Sequence, residues 1–369
     1  MQGTLSFAVT GVLSTLLSAP LWAASSEIPF DYDAFIISTE NTQSEHMKQL
    51  IADNQQFSST VVQACDNIQE QNTPLTEWQA LGKLQKQWRN SARQWQRIQV
   101  FPLGPNVDTT VRLNITFWPD KKNLVERKMR AMVQQGTQPD IHQGGIAVQG
   151  MAASEYLLFD PGYLQRSSVH QTCPSLVAIS QQSLKNSEAL LTRWQESEFL
   201  AHWHDAGLGN ETFASTTQAA GYLLAGLAQS AEVIAKDKIY KPFRLNKDKA
   251  NSNLYLAENW RSGLSLDNMQ QNLADIDQMY HGTDGKNGPH QLLLRKGFAD
   301  EATAISEQLQ NVRRQLSQLA DYGDQTFVST EARNLAKAIY LDIKKLEQAL
   351  KKPLVHFDLA QTFNSRDGD

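Results

Sequence analysis

The sequence predicts an all-α protein: a stack of amphipathic helices packed as bundles. Three observations carry this. Apolar residues recur at spacings of three and four over long stretches, alternating strand-like segments are scarce, and proline and glycine clusters fall where helices would stop. Trp78, Leu81, Gln85, Trp88, Ala92 and Trp95 form one helical stripe with Gln85 its only polar member. Leu176, Ser180, Ser183, Ser187, Leu190 and Trp194 form a second, with small residues in its middle. Ala302, Ile305, Leu309, Val312, Leu316 and Leu319 form a third; Leu335, Ile339, Ile343, Leu346 and Leu350 form a last helix stopped by Pro353. Most of the tryptophans are expected to bury area between helices.

The breakers order the rest. Pro74 or Thr76 helps to start the Trp-rich helix, and Pro102-Leu103-Gly104-Pro105 ends it. Val107–Pro119 reads as irregular, with Pro119-Asp120 leading into the next helix. A signature helix is expected to begin at Gly144-Gly145 and to end at Pro161-Gly162. Ala206-Gly207-Leu208-Gly209-Asn210 separates two helical halves, 28–205 and 206–369, and is the expected domain boundary. Lys241–Lys249 and His281–Pro289 read as connections. Gly150-Met-Ala-Ala-Ser-Glu155 recurs loosely as Gly226-Leu-Ala-Gln-Ser-Ala-Glu232, one residue longer, which points to an internal duplication.

The chain has 369 residues and a formal net charge of −5, with Lys and Arg dispersed, so it shows no nucleic-acid footprint. Leu5–Leu21 is apolar or small and uncharged, and Leu21-Trp22-Ala23-Ala24 offers small residues for cleavage; residues 1–23 are read as a signal peptide, although Met1–Thr4 lacks Lys or Arg. No cysteine stands near that point to carry a lipid, and no later run is long and apolar enough to span a bilayer. The expected location is therefore periplasmic or secreted, and about 345 mature residues suffice for two ordinary domains. Cys65 and Cys173 are the only cysteines. In an oxidising compartment they pair, closing a loop worth about 4–5 kcal/mol in the chain-entropy model; two buried thiols are the alternative.

Residues 150–160 read Gly-Met-Ala-Ala-Ser-Glu-Tyr-Leu-Leu-Phe-Asp. They resemble the signature helix of the imelysin family, Gly-x-His-x-x-Glu followed by an apolar run. Gly150 and Glu155 are in register, and Ala152 stands in the histidine position. The resemblance continues through Leu103-Gly104-Pro105, Arg112, Phe117-Trp118-Pro119-Asp120-Lys121, Thr172-Cys173 and the segment Glu258–Asp267. It implies two helical bundles with a cleft between them, a periplasmic or cell-surface setting and a connection with iron acquisition. It does not imply an activity, because alanine supplies no donor where a metal site or metallopeptidase needs one.

Five residues are cleft candidates. Glu155, following small residues on its helix, is either a ligand- or cation-binding carboxylate or a buried anchor, to Arg112 or to backbone donors of the Val107–Pro119 segment. Arg112 offers a bidentate contact to an anion or a salt bridge. Trp118 is a ligand platform or core, Asp120 a cleft acid or a helix cap. Ser265 stands where an N-cap would. His142, His170, His202, His204, His281, His290 and His356 show neither His-x-x-x-His nor His-Glu-x-x-His spacing. No nucleophile elbow or phosphate loop is present. The functional expectation is an exported, non-catalytic binding protein that takes an unknown small ligand or an envelope protein; no cofactor is assigned, and iron or another divalent cation is the candidate. The alternatives are a metal-assisted, peptidase-like hydrolase using Glu155 and an envelope scaffold.

Overall fold

The computed structural model describes residues 30–66, 72–136, 139–247, 251–357 and 359; the expected signal peptide, 1–23, lies outside them. Helix follows helix: α1 (Tyr32–Cys65), α2 (Leu81–Gln99), α3 (Thr109–Ile115), α4 (Leu124–Val133), α5 (Ile141–Gly144), α6 (Met151–Phe159) and α7 (Pro161–Leu164). Next come α8 (Val169–Gln195), α9 (Glu198–His204) and α10 (Thr216–Val233), which runs directly into a π-helical stretch, Ile234–Tyr240. The chain closes with α11 (Ser265–His281), α12 (Pro289–Arg295), α13 (Ala299–Ala320) and α14 (Thr330–Lys351). Among the described residues there is no strand, only one isolated bridge between Pro74 and Ser168.

Short polar side chains begin several of the helices, in keeping with capping chemistry. Asp31 accepts from Ala34 N–H, Ser215 from Gln218 and Ser329 from Ala332. Ser168 and Gln171 form a capping box at the head of α8. The long helices pack in two rings. In one, α1 meets α2 and α8, and α6 meets both of those; in the other, α10 meets α14 and α11, and α13 meets both of those. Contacts of α2 with α11 and of α1 with α10 join the rings, and one continuous apolar cluster runs through both. No helix among the described residues is long and apolar enough to cross a membrane.

The serine stripe of α8 lets it lie close to α1. Ser180 Oγ is 3.3 Å from Ser58 Oγ, and Asn54 donates to the Ser183 carbonyl at 3.4 Å. Ser180 and Ser187 turn their hydroxyls back onto their own helix, at 2.9 and 2.7 Å, so that these two oxygens are satisfied. A Cys65–Cys173 disulfide, with Cα atoms 5.5 Å apart, ties the end of α1 to the start of α8. The Trp stripe packs α2 on the signature helix. Trp88 Nε1 donates to the Met151 carbonyl at 3.1 Å and to Ser154 Oγ at 3.0 Å, and Gln85 donates to the Leu158 carbonyl at 2.7 Å.

Three boundaries differ from expectation. Trp78 lies ahead of α2, in an extended conformation just after the short 3₁₀ turn Leu75–Glu77, with its own buried place. The signature helix begins at Met151, because Gly144 and Gly145 serve α5 and a 3₁₀ turn that precede it. The Val107–Pro119 segment is not wholly irregular: Asp108 accepts from Thr110 and Val111 N–H and starts the seven-residue helix α3.

Candidate functional site

The packing at the head of α6 explains the glycine of its motif. A Cβ on Gly150 would sit 2.7 Å from the Asn114 carbonyl oxygen and 2.6 Å from that of Ile115, so only glycine lets α6 approach the end of α3. One turn later Glu155 is buried, 3% exposed. Its carboxylate accepts from Ser262 N–H at 2.9 Å and Ser262 Oγ at 2.7 Å, with Asn259 Nδ2 at 3.5 Å. The expected anchors, Arg112 and the backbone of Val107–Pro119, are not these partners; the anchored segment is the turn 258–263 from the second half of the chain. Burial pushes the Glu155 carboxyl above its ordinary pKa, and the Ser262 hydrogen bonds oppose that shift.

The 258–263 turn is fixed from several sides. Asn259 holds a left-handed φ of 53° while its Oδ1 accepts from Asn268 at 2.8 Å. Arg261 reaches Asp160 at 3.1 Å and Asn123 at 3.2 Å, its guanidinium 4.3 Å from the Trp260 ring centroid. Ser265 is a correction: it is the first residue of α11 and caps nothing, since its Oγ donates to the Glu258 carbonyl at 2.7 Å and braces the same turn.

Beside Glu155 lies a second buried polar group. Lys238, in the π-helical stretch, pairs with Glu258 at 2.7 Å and donates to Gln96 Oε1 at 2.8 Å and Asn272 Oδ1 at 2.6 Å. Burial pulls its pKa down and Glu258 opposes this. The sequence reading missed Lys238, Glu258, Asn259, Arg261 and Ser262. The available signals were the spacing Ile234, Lys238 beside Ile239, which places a lysine on an apolar face, and the Glu258–Asp267 segment, from which only Ser265 was singled out.

Trp118 spans the two neighbourhoods. Its Nε1 donates to the Leu256 carbonyl at 3.1 Å, and Lys238 Nζ stands 5.8 Å from its ring. Asp120 caps α4, its two oxygens accepting from Leu124 N–H at 2.7 Å and Val125 N–H at 2.9 Å. The space next to Ala152 and Glu155, bordered by Trp118, Asp120 and Glu258, is only about 20 Å³. That admits about one water.

On the other side of Trp118 and Asp120 a groove of about 440 Å³ opens between the α3–α4 segment and the π-helical stretch. Leu113, Phe117, Trp118, Pro119, Leu124 and Val233 give it an apolar wall, and Arg112, Lys121 and Lys122 give it cations. Its two acids are engaged: Asp120 in the α4 cap, Asp237 in an ion pair with Lys241. Trp118, Asp120 and Arg112 thus meet at the groove. Glu155 lies in the smaller space behind it, and Ser265 is one layer further, under Glu258. Among the described residues no group of three or more His, Cys, Asp or Glu is placed to hold a metal.

The family model for imelysin matches residues 42–350. The fold is similar to that of an imelysin-like protein from Psychrobacter arcticum 273-4, with a TM-score of 0.71 and 16% identity over 91% of this chain and 100% of that one. It is also similar to a putative iron-regulated protein A precursor from Parabacteroides distasonis ATCC 8503, with a TM-score of 0.69 and 15% identity over 90% of this chain and 97% of that one. No protein of curated function matches.

Proposed function

The chain belongs to the imelysin family, and on that premise we propose that it is an exported, non-catalytic binding protein that holds a small anionic ligand in the groove beside Trp118. One contrast carries the reading. The groove, about 440 Å³, has an aromatic wall and three cations, whereas the signature space, about 20 Å³, has Ala152 where a donor would be and a carboxylate already spent on Ser262. A hydrolase using Glu155 would need that carboxylate to face a water or a metal.

The disulfide and the apolar, uncharged stretch Leu5–Leu21 support export. The link to iron rests on the family and on the iron-regulated protein whose fold is similar. In this reading metal arrives as an anionic chelate and not as a bare ion, which matches cations in the groove and the absence of a donor at Ala152. The halves 28–205 and 206–369 are then related bundles that grip the ligand between them, Glu232 standing where Glu155 stands in the first. Glu232 is itself buried and paired with Lys236 at 2.5 Å.

Isothermal titration with ferric citrate and with citrate alone tests the proposal. Binding of the ferric complex is expected in the native chain, with loss in Trp118→Ala and in Lys121→Glu/Lys122→Glu. No binding, or binding indifferent to these substitutions, would overturn it. An envelope partner captured equally well by the groove variants would move the function to the outer helix faces.

A further inference from the structure

Away from the groove, two histidines converge on one hydroxyl at the far end of the second ring. His281, the last residue of α11, places Nε2 at 3.1 Å from Ser306 Oγ, and His290, in the first turn of α12, places Nδ1 at 3.4 Å from the same atom. The two rings lie 4.6 Å apart, centroid to centroid. The far nitrogen of His281 is held by Asp277, with Nδ1 at 3.0 Å from Oδ1, and Arg313 fixes the other Asp277 oxygen at 2.6 Å. With the Nδ1 proton directed at the carboxylate, Nε2 carries its lone pair toward Ser306. This carboxylate–imidazole arrangement is the one that orients metal-binding histidines.

The loop between the histidines is tightly closed. A Cβ on Gly288 would sit 2.2 Å from Gly282 N, and Gly282 has a φ of 87°. Asp284 accepts from Lys286 and Asn287 N–H, both at 2.8 Å, within the same loop. The imidazoles are therefore brought together by the backbone, and the His281 side chain, 34% exposed, leaves solvent access for further ligands.

We propose that His281, His290 and Ser306 form a surface site for a borderline divalent transition metal, of the zinc, nickel or copper class, with water completing the coordination. Two nitrogen donors select these ions over calcium or magnesium. The same Asp277–His281–Ser306 trio does not suit acyl transfer. Ser306 lies within α13, where backbone N–H groups are spent on the helix ladder and none is left to hold an oxyanion.

The test is zinc titration of the untagged chain by calorimetry, with cobalt as a spectroscopic substitute. One equivalent is expected to bind with micromolar affinity and to give a visible cobalt band. His281→Ala and His290→Ala should each abolish it, and Asp277→Asn should weaken it about tenfold or more while both imidazoles remain. Ser306→Ala should retain binding, because water replaces the hydroxyl. Circular dichroism of the metal-free variants checks that they fold. Absence of zinc binding in the native chain, or undiminished binding in a folded His281→Ala/His290→Ala variant, would overturn the site.

Discussion

Replacing Glu155 separates an anchor from a binding group. Glu155→Ala removes the acceptor for two short hydrogen bonds from Ser262, at 2.9 and 2.7 Å. The Ser262 hydroxyl has a second acceptor, the Asn259 carbonyl at 3.0 Å, so one buried N–H is left unpaired, at about 1–3 kcal/mol. Loss of one buried methylene adds about 0.8 kcal/mol. Relief of the buried carboxylate, whose pKa burial raises, offsets part of this. The net expectation is about 1–3 kcal/mol of destabilisation, a fall in melting temperature of about 2–4 °C for a chain of this size. Glu155→Gln keeps an acceptor for Ser262, removes the buried charge and mismatches only the 3.5 Å contact to Asn259, so it should stay within about 1 kcal/mol of the native chain. Thermal and urea melts of the three proteins at neutral pH decide. A Glu155→Ala protein that melts with the native chain, or a Glu155→Gln protein as damaged as Glu155→Ala, would refute the anchoring argument and return Glu155 to the binding groups.

Three further outcomes are expected. Opening the Cys65–Cys173 bridge by Cys65→Ala/Cys173→Ala, which frees a loop with a sequence separation of 108, should lower stability by about 4–5 kcal/mol in urea titrations; an unchanged midpoint would count against the chain-entropy account. Asp275, buried in α11 with Gln271 donating to it at 2.8 Å, has its pKa raised to about 6 by burial. Between its unfolded pKa of 3.8 and about 6 the folded chain holds a proton that the unfolded chain releases, so this group's contribution to stability falls as pH rises through that window. Asp275→Asn should therefore stabilise by up to about 3 kcal/mol above neutrality and by nothing near pH 4, and an equal gain at both would contradict the assignment. Finally, Ala152→His in a His281→Ala/His290→Ala background completes the family motif, yet zinc binding should remain weaker than micromolar because Ser262 holds Glu155 and α4 holds Asp120. Micromolar binding abolished by Glu155→Gln would show that the signature site needs only its histidine.

The helical class and most of the core were legible in the residues, and the covalent tie was the favoured one of two readings. The three-four stripes of Trp88 and Trp95, of Ile305 and Leu309, and of Ile339 and Ile343 all turn inward, because helical periodicity is a local property that burial merely ratifies. The serines of α8 were legible as a close-packing face, and two cysteines in an exported-looking chain as a bridge. The partner of Glu155 was not legible. Ser262 lies 107 residues away, and no periodicity specifies which turn of a second bundle will meet a given helix. The same holds for Lys238 and Glu258, for Gly150 against the α3 carbonyls and for His281 and His290 against Ser306. Their side chains announce polarity, but the atoms that satisfy them come from elements whose juxtaposition is set only when the two rings pack. Which carboxylates are spent and which cations face a groove was thus decided by tertiary structure, because a buried polar group is defined by its partners and not by its neighbours in sequence.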